Sequence, residues 1–453
     1  MSNISTAEFR TQTKALLRLG GPLIVNNLAV AGMQFADAVM AGSLGAKELA
    51  AVAVGGSVWF ICFTLCLGIL MAISPIVSRH YGAGDYDLIG RYTRQGIYLA
   101  VLMGVPIVIF GQIAALPVLE LFGIDPDFRD LAGGYLRAIM FGAPGILIFL
   151  ALRFTTEGTG LMRPIMYTSV FSLICNVFLN YVLMFGHFGA PALGAVGCGY
   201  ASAITMWIVM FTLGGYMMLS KSYRPFHIFS RVAPLRLSVF KEIIWLGVPI
   251  AVTITAEAGL FSAVSILIGT RGTEITAAHQ IAISFSSTTF MVPLALSAAT
   301  TVLVGQLIGA GKFREARIGG WIGIALCAGF MTISALCLLA FRDAVVGLYT
   351  SDAAVTGIAI SLLLMAAVFQ IADGIQIGAA GALRGYKDTG VPMAINIFAF
   401  WVLAFPLAYL AAVTYLAPPN YIWAGFVVGL SAAAILLTRR FARLSRAELT
   451  QTV

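Results

Sequence analysis

Three acidic side chains lie inside long apolar stretches of this sequence: Asp37, Glu257 and Asp373. A charge near the middle of a membrane helix costs about 2.5–3.5 kcal/mol by insertion measurements, so such a residue faces a partner or a water-filled cavity. No lysine or arginine lies near the middle of an apolar stretch, where it would form a structural ion pair. We therefore predict that these carboxylates bind an exchangeable cation, either Na⁺ through their oxygen atoms or a proton.

Neutral polar and aromatic side chains accompany the acids. Asn176 and Asn180 are spaced i, i+4 and so share one face of a helix. Each amide alone is as well explained by hydrogen bonding between helices, and each aromatic ring alone by packing. As a set, the predicted polar residues of a cleft are Asn26, Gln34, Asn176, Asn180, His279, Gln280 and Gln370. The predicted apolar wall, suited to lipophilic cations, comprises Met33, Phe261, Phe285, Phe290 and Phe369.

The composition indicates which elements must hold these residues. Of the 453 residues 60% are hydrophobic and 10% are charged, with a mean hydropathy of +0.95, whereas soluble proteins carry about a quarter charged residues. The apolar blocks can each cross about 30 Å of hydrocarbon as a helix, and they lack the alternation of barrel strands. We predict an all-α polytopic membrane protein with twelve transmembrane helices, near residues 16–41, 50–77, 94–117, 131–155, 165–186, 194–220, 243–269, 277–305, 318–340, 357–383, 392–415 and 420–438.

An internal duplication organises the predicted helices. Residues 19–22 (Leu-Gly-Gly-Pro) return at 246–249 (Leu-Gly-Val-Pro) with a shift of 227, and residues 151–153 (Ala-Leu-Arg) return at 382–384 with a shift of 231. The acids do not repeat. Six spans separate the copies, so we predict two parallel six-helix repeats, forming two lobes around a central cleft. The predicted domains are an N-terminal lobe (1–219), a cytoplasmic linker with a short surface helix (220–242), a C-terminal lobe (243–438) and a cytoplasmic tail (439–453).

The basic residues predict the orientation in the membrane. All but five of the 27 fall on one side of the predicted spans, the exceptions being Lys47, Arg129, Arg137, Arg271 and Arg342. The positive-inside rule therefore places both termini in the cytoplasm and accounts for the net charge of +8 without nucleic acid. On a helical rise of 1.5 Å per residue, Glu257 lies roughly 21 Å and Asp373 roughly 15 Å from the cytoplasmic ends of their spans. These similar depths allow the two acids to share a cation, whereas Asp37 belongs to the other lobe.

Four stretches carry a resemblance to a known family: residues 32–42 (GMQFADAVMAG), 176–197 (NVFLNYVLMFGHFGAPALGAVG), 277–281 (AAHQI) and 381–388 (GALRGYKD). From about residue 14 to 440 the chain resembles the multidrug and toxic compound extrusion (MATE) family, within it the bacterial NorM-like branch. The resemblance implies secondary active antiport of drugs against Na⁺ or H⁺, with no cofactor other than this ion. It also implies a cation site at Glu257 and Asp373, with Na⁺ as a candidate ligand, and a protonation site at Asp37 beside Asn176 and Asn180.

One position departs from the family pattern. Related proteins can place a tyrosine one turn before the acid of the tenth span, and here that position is Phe369. A hydroxyl ligand for Na⁺ is therefore missing.

The expected partners are small cationic or amphipathic drugs and the lipid bilayer, with no nucleic acid. We expect a monomeric, multi-pass protein of the bacterial cytoplasmic (inner) membrane that is not an enzyme. Two other functions stay open. A lipid or lipid-linked saccharide flippase of the same superfold is expected to carry more basic residues for pyrophosphate. An intramembrane carboxylate-dependent hydrolase would act without an ion gradient, although the repeats offer no paired catalytic motif.

Overall fold

A computed structural model describes residues 6–230, 234–350 and 352–450 of the chain. The regular secondary structure of these residues is entirely helical, as the apolar blocks predict. Eleven helical segments are long and apolar enough to cross a membrane, and a pair bent by 45°, Pro126–Met140 with Ala143–Gly158, brings the number to twelve. The predicted all-α polytopic fold is confirmed.

The first part of the described chain contains eight α-helices: α1 (Thr6–Leu44), α2 (Ala46–Met71), α3 (Ile73–Ala83), α4 (Tyr86–Leu121), α5 (Pro126–Met140), α6 (Ala143–Gly158), α7 (Met162–Phe185) and α8 (Gly194–Leu219). The predicted second span is divided between α2 and α3, and the predicted fourth span between α5 and α6. Pro144 lies in the first turn of α6, where a proline starts a helix without losing a hydrogen bond but cannot continue the preceding one. Gly84 closes α3 with a φ of 78°, in the left-handed region that glycine adopts without strain.

The second part contains seven α-helices: α9 (Leu237–Gly269), α10 (Thr273–Gly309), α11 (Phe313–Gly347), α12 (Ala353–Gly385), α13 (Gly390–Ile397), α14 (Phe405–Tyr409) and α15 (Pro419–Thr450). Gly311, the repeat equivalent of Gly84, has a φ of 75° between α10 and α11. The tight turn is therefore the same in both copies. The predicted eleventh span is a continuous helix in which α13 and α14 are joined and followed by π-helical segments at Phe398–Ala404 and Leu410–Thr414.

Packing divides the chain into two compact units. The N-terminal unit is Val25–Ala251, and the C-terminal unit joins the described parts of Met1–Ile24 and Val252–Val453. The divisions fall at equivalent places in the repeat, two residues after Pro22 in α1 and two residues after Pro249 in α9. Proline inside a helix removes a backbone hydrogen bond and bends it. These units differ from the predicted lobes by the first segments of α1 and α9, and the lobes stay a prediction.

The predicted linker folds onto the N-terminal unit. Its short helix is a 3₁₀ helix at Lys221–Phe226, which buries the rings of Tyr223 and Phe226. Farther along, the buried amide of Gln95 donates to the carbonyl of Pro234 at 2.9 Å and accepts from the backbone N–H of Arg236 at 3.1 Å. The linker is thus held by side-chain contacts at both of its described ends.

Arg271 holds the end of the second π-helical segment, and its loss is expected to destabilise the protein. Its guanidinium donates to the carbonyl of Ala412 at 2.8 Å and to those of Leu416 and Ala417 at 3.0 and 3.2 Å. Hydrogen bonds from a charged donor are stronger than neutral ones. We expect Arg271→Ala to cost about 1–2 kcal/mol of stability after allowance for partial exposure to solvent.

Thermal unfolding of the purified protein in detergent measures this effect. Arg342→Ala is the matched control, because Arg342 pairs with the exposed carboxylate of its neighbour Asp343, at 3.9 Å. Such surface pairs contribute little. Equal midpoints for the two variants would contradict the capping role of Arg271.

Candidate functional site

The C-terminal unit brings two of the predicted acids together. Glu257 lies on α9 and is half-buried, and Asp373 lies on α12 and is only 5% exposed. The charges of these two carboxylates act on each other. The Oδ1 atom of Asp373 is buried and has no hydrogen-bond partner within the described residues. The pair therefore combines negative charge with an unused buried oxygen, which is the chemistry that a hard cation or a proton requires.

Amide side chains on α12 flank Asp373. One turn before it, Gln370 donates from Nε2 to the Thr289 hydroxyl at 3.3 Å, and its Oε1 accepts from the Ser334 hydroxyl at 3.2 Å. Gln370 thereby ties α12 to α10 and α11. Three residues after Asp373, the Oε1 atom of Gln376 is also buried without a donor in the described part of the chain. Residues at i and i+3 are neighbours on a helix surface, so α12 presents two unused oxygens side by side.

Arg384 is a buried base in the C-terminal unit. The sequence counts it among the cytoplasmic basic residues, because it lies near the end of a predicted helix. Arg384 is 9% exposed, its Nη2 atom donates to the Ser297 hydroxyl at 2.8 Å, and its charge acts on Glu257. The sequence has no base in the middle of a span, and Arg384 does not change this, because it lies in the last turn of α12. The repeat relates Arg384 to Arg153, and this correspondence was the sequence signal that could have singled out Arg384.

Three of the predicted cleft residues form an aromatic cluster inside the C-terminal unit. Phe369 packs edge-on against Trp423 with 5.6 Å between centroids, and Phe261 stacks on Phe426 at 4.7 Å. The Nδ1 atom of His279 accepts a hydrogen bond from the indole N–H of Trp423 at 3.1 Å. The ring of Phe369 is thus packed against other rings and offers no hydroxyl group to a cation. Trp423 was not among the predicted residues, because its span carries no acid.

The third acid has its own surroundings in the N-terminal unit. The Nδ2 atom of Asn180 donates to Asp37 Oδ1 at 2.5 Å and also lies 3.3 Å from Asn176 Oδ1. Asn176 and Asn180 are buried on one face of α7, as their spacing predicts. Cys198 and Ser202 on α8 also hydrogen-bond to Asp37. Sequence reasoning missed these two, although they share the i, i+4 spacing.

Asn26 belongs to a different network of the N-terminal unit. It is buried, and the Ser169 hydroxyl lies 2.5 Å from its side-chain amide. Nearby on α6, Arg153 donates to Glu157 at 2.8 Å, and Glu157 is only 2% exposed. Asn26 lies eleven residues before Asp37 on α1, which is about 16 Å along a helix. The structure does not bring these two predicted residues together.

The other predicted cleft residues are less buried. Gln34 and Gln280 are exposed, while Met33, Phe285 and Phe290 are half-buried. Partial exposure leaves them free to contact a ligand. Their role in lining a cleft stays a prediction.

The helical spans, the internal repeat and the acids inside the spans define the chain as a polytopic membrane protein of transporter type. A family model described as MatE matches residues 22–182 and 249–410, one match in each copy of the repeat. The chain belongs to this family, the MATE transporters, and is not an enzyme.

Two similar proteins from bacteria support this assignment, and one solved structure shows the same fold. The chain is 38% identical to the multidrug resistance protein PmpM of Pseudomonas aeruginosa over 444 residues, covering 96% of this chain and 92% of PmpM. It is 37% identical to the multidrug resistance protein MdtK of Photorhabdus laumondii over 442 residues, covering 97% of this chain and 96% of MdtK. The crystal structure of the eukaryotic MATE transporter AtDTX14 has the same fold, with a TM-score of 0.86, 23% identity and coverage of 98% and 100% of the two chains.

Proposed function

We propose that the protein is a secondary active antiporter that exports cationic and amphipathic drugs in exchange for Na⁺ or H⁺. The observation that carries the proposal is the pair of the half-buried Glu257 and the buried Asp373, whose charges interact. The Oδ1 atom of Asp373 has no donor among the described residues. Full-length similarity to two proteins named for multidrug resistance supports drugs as the cargo. The same similarity favours drug efflux over the flippase and the hydrolase.

The exchange follows from competition for negative charge. A coupling cation that loads the acids reduces their attraction for a cationic drug, and by linkage a bound drug weakens the hold on the cation to the same extent. Alternating access would then let the cation enter on one side and the drug leave there. A potential of 100 mV supplies about 2.3 kcal/mol for each net elementary charge moved inward. An exchange of equal charges forfeits this term and relies on the concentration gradients.

The proposed setting is a bacterial inner membrane with both termini in the cytoplasm. The asymmetry of the basic residues supports this orientation, because lysine and arginine are retained on the cytoplasmic side. The proposed functional form is a monomer, since one chain carries both copies of the repeat and all three acids.

The proposal is tested by the efflux of ethidium from vesicles under separately imposed gradients of Na⁺ and H⁺. We expect at least one gradient to drive ethidium transport, and an ionophore for that ion to stop it. Asp343→Asn serves as a control, because this acid is exposed and is expected to leave transport unchanged. Ethidium movement that responds to neither gradient would refute ion-coupled antiport.

A further inference from the structure

The buried imidazole of His279 is hydrogen-bonded at both of its ring nitrogens. His279 lies on α10 and is 1% exposed. Its Nδ1 atom lies 3.1 Å from the indole nitrogen of Trp423 on α15. Its Nε2 atom lies 2.8 Å from the hydroxyl oxygen of Ser265 on α9. The ring therefore joins three helices of the C-terminal unit.

These partners fix the tautomer of the imidazole. The indole N–H of Trp423 can only donate, so Nδ1 of His279 accepts and carries no proton. The Ser265 hydroxyl donates to the carbonyl of Phe261 at 2.8 Å, which leaves its oxygen to accept from the Nε2–H group of His279. The chain of hydrogen bonds thus runs in one direction, and each polar group in it has a partner. A second proton on His279 would face the indole N–H, break that bond and bury an unpaired charge.

The two ends of this chain of hydrogen bonds belong to the aromatic cluster of the C-terminal unit. Phe261 stacks on Phe426. The centroid of the Phe426 ring lies 5.6 Å from that of Trp423 and 6.4 Å from that of Phe369. Because close-packed rings transmit a displacement instead of absorbing it, the cluster fixes the helices that carry it relative to one another. His279 fastens two members of the cluster to α10.

The aromatic cluster lies one helical turn from each acid of the pair. Phe261 follows Glu257 by four residues on α9, and Phe369 precedes Asp373 by four residues on α12. Residues four apart lie on the same face of a helix. Since both rings contact Phe426, the cluster holds α9 and α12 together about 6 Å along each helix from the acid. The position of these rings therefore sets the spacing of the two carboxylates.

The N-terminal copy of the repeat has other residues at the polar positions of this chain. The shift of 227 relates His279 to Val52 and Ser265 to Ala38. The side chains of valine and alanine form no hydrogen bonds. The polar chain therefore belongs to the copy that carries two acids.

We infer that His279 is a positioning residue of the proposed cation site, which holds the aromatic cluster beside Glu257 and Asp373 in a single neutral tautomer and carries no proton itself. This inference rests on the proposed cation exchange and assigns the binding of the coupling ion in this unit to the carboxylates. Histidine inside a membrane helix is otherwise a candidate proton carrier, because its charge changes near neutral pH. Here its hydrogen bonds give it a different task.

Other titratable groups lie on the helices around this chain of hydrogen bonds. They are Glu257 on α9, Arg271 between α9 and α10, Glu274 on α10, Cys337 on α11, Asp373 on α12 and Tyr421 on α15. Glu274, Cys337 and Tyr421 are exposed, and Arg271 donates to backbone carbonyls. Both ring nitrogens of His279 are taken by Trp423 and Ser265. Neither acid of the pair therefore exchanges a proton directly with the imidazole.

The binding of ethidium to the purified full-length protein tests the inference, with fluorescence anisotropy as the readout. The bound fraction is followed against pH without Na⁺, and against NaCl at fixed pH. Glutamine is neutral at every pH, and its amide can accept from the indole N–H and donate to the Ser265 hydroxyl. We expect His279→Gln to keep each midpoint within about twofold of the wild type in cation concentration. Ethidium efflux driven by an ion gradient should be kept as well.

His279→Leu removes both hydrogen bonds and leaves an apolar side chain in their place. We expect the coupling cation to bind about tenfold more weakly, because a less precisely held pair of carboxylates shares a cation less well. The pH midpoint for ethidium binding then falls by about one unit, or the NaCl midpoint rises about tenfold. His187→Leu is the matched control, because His187 is exposed and stacks on Tyr181 in the N-terminal unit. This control is expected to move neither midpoint.

The outcomes separate positioning from proton transfer. Loss of ion-driven efflux in a folded His279→Gln variant would assign a proton to the imidazole and overturn the inference. Unchanged midpoints in His279→Leu would contradict the positioning role. If His279→Leu does not fold, Ser265→Ala and Trp423→Phe each remove one bond and are expected to give smaller shifts in the same direction. Unchanged midpoints in both would likewise overturn the inference, whereas wild-type binding that responds to neither pH nor NaCl would refute the proposed cation exchange itself.

Discussion

Replacing Glu257 with glutamine is expected to abolish ion-coupled drug efflux while leaving the protein folded in the membrane. Glutamine has nearly the shape of glutamate but carries no charge, so the packing of α9 is kept. The carboxylate of Asp373 then remains without the second acidic charge that acts on it. The negative charge available to a coupling cation is halved. We expect efflux driven by the gradient to fall at least about 100-fold, which corresponds to about 2.7 kcal/mol.

Ethidium efflux from vesicles, normalised to the amount of protein in the membrane, measures this loss. Glu274→Gln is the matched control, because it makes the same chemical change at an exposed glutamate in the first turn of α10. The control is expected to transport at the wild-type rate. Efflux by Glu257→Gln at that same rate would remove Glu257 from the mechanism.

The second large effect is expected at Asp37, in the N-terminal unit. Asp37→Asn keeps the size of the side chain but replaces an acceptor-only carboxylate with an amide. Asn180 donates to this carboxylate at 2.5 Å, and Ser202 and Cys198 hydrogen-bond to it as well. An amide nitrogen facing the Asn180 donor would leave both groups poorly paired. We expect drug efflux to fall at least about tenfold, because the site loses both its charge and its hydrogen-bonded geometry.

Asp37→Glu and Asp85→Asn are the comparison variants for this prediction. The first keeps the charge and is expected to retain part of the efflux, and the second changes an exposed aspartate at the residue before α4, whose side chain makes no capping hydrogen bond. Transport rates are compared in the same vesicles at matched protein amounts. If Asp37→Asn pumped ethidium as well as Asp85→Asn does, the carboxylate at position 37 would have no part in transport.

The helical spans could be predicted because burial in a bilayer requires long apolar helices, and length and hydropathy are visible in a sequence. Breaks within spans were less visible. Ala72, between α2 and α3, is neither glycine nor proline, but Pro75 in the first turn of α3 cannot donate to the carbonyl of Met71, so a proline marks this boundary. The π-helical segments at Phe398–Ala404 and Leu410–Thr414 consist of ordinary apolar residues. Such departures depend on packing against neighbouring helices.

At the candidate site, some residues could be predicted from the sequence and others could not. Asn176 and Asn180 followed from helical spacing, and Asp37 is indeed bound to one of them. Arg384 was missed because its place in the sequence gives the depth of its Cα atom and not that of its charge. Side chains on a helix tilt toward its N-terminus. A long side chain at the C-terminal end of α12 therefore extends into the unit, where the same residue at an N-terminal end would extend away.

α1 contributes its first segment to the C-terminal unit and the rest to the N-terminal unit. This division has a consequence for biosynthesis. Leu16 and its neighbours pack with Ala299, Leu303 and Ile322, nearly three hundred residues later. At a translation rate of about 5–20 residues per second, this apolar segment is synthesised about 15–60 s before the residues against which it packs. A gene cut within the linker would encode two polypeptides, and the first would carry a segment that completes the second. Neither half-gene therefore encodes a whole folding unit.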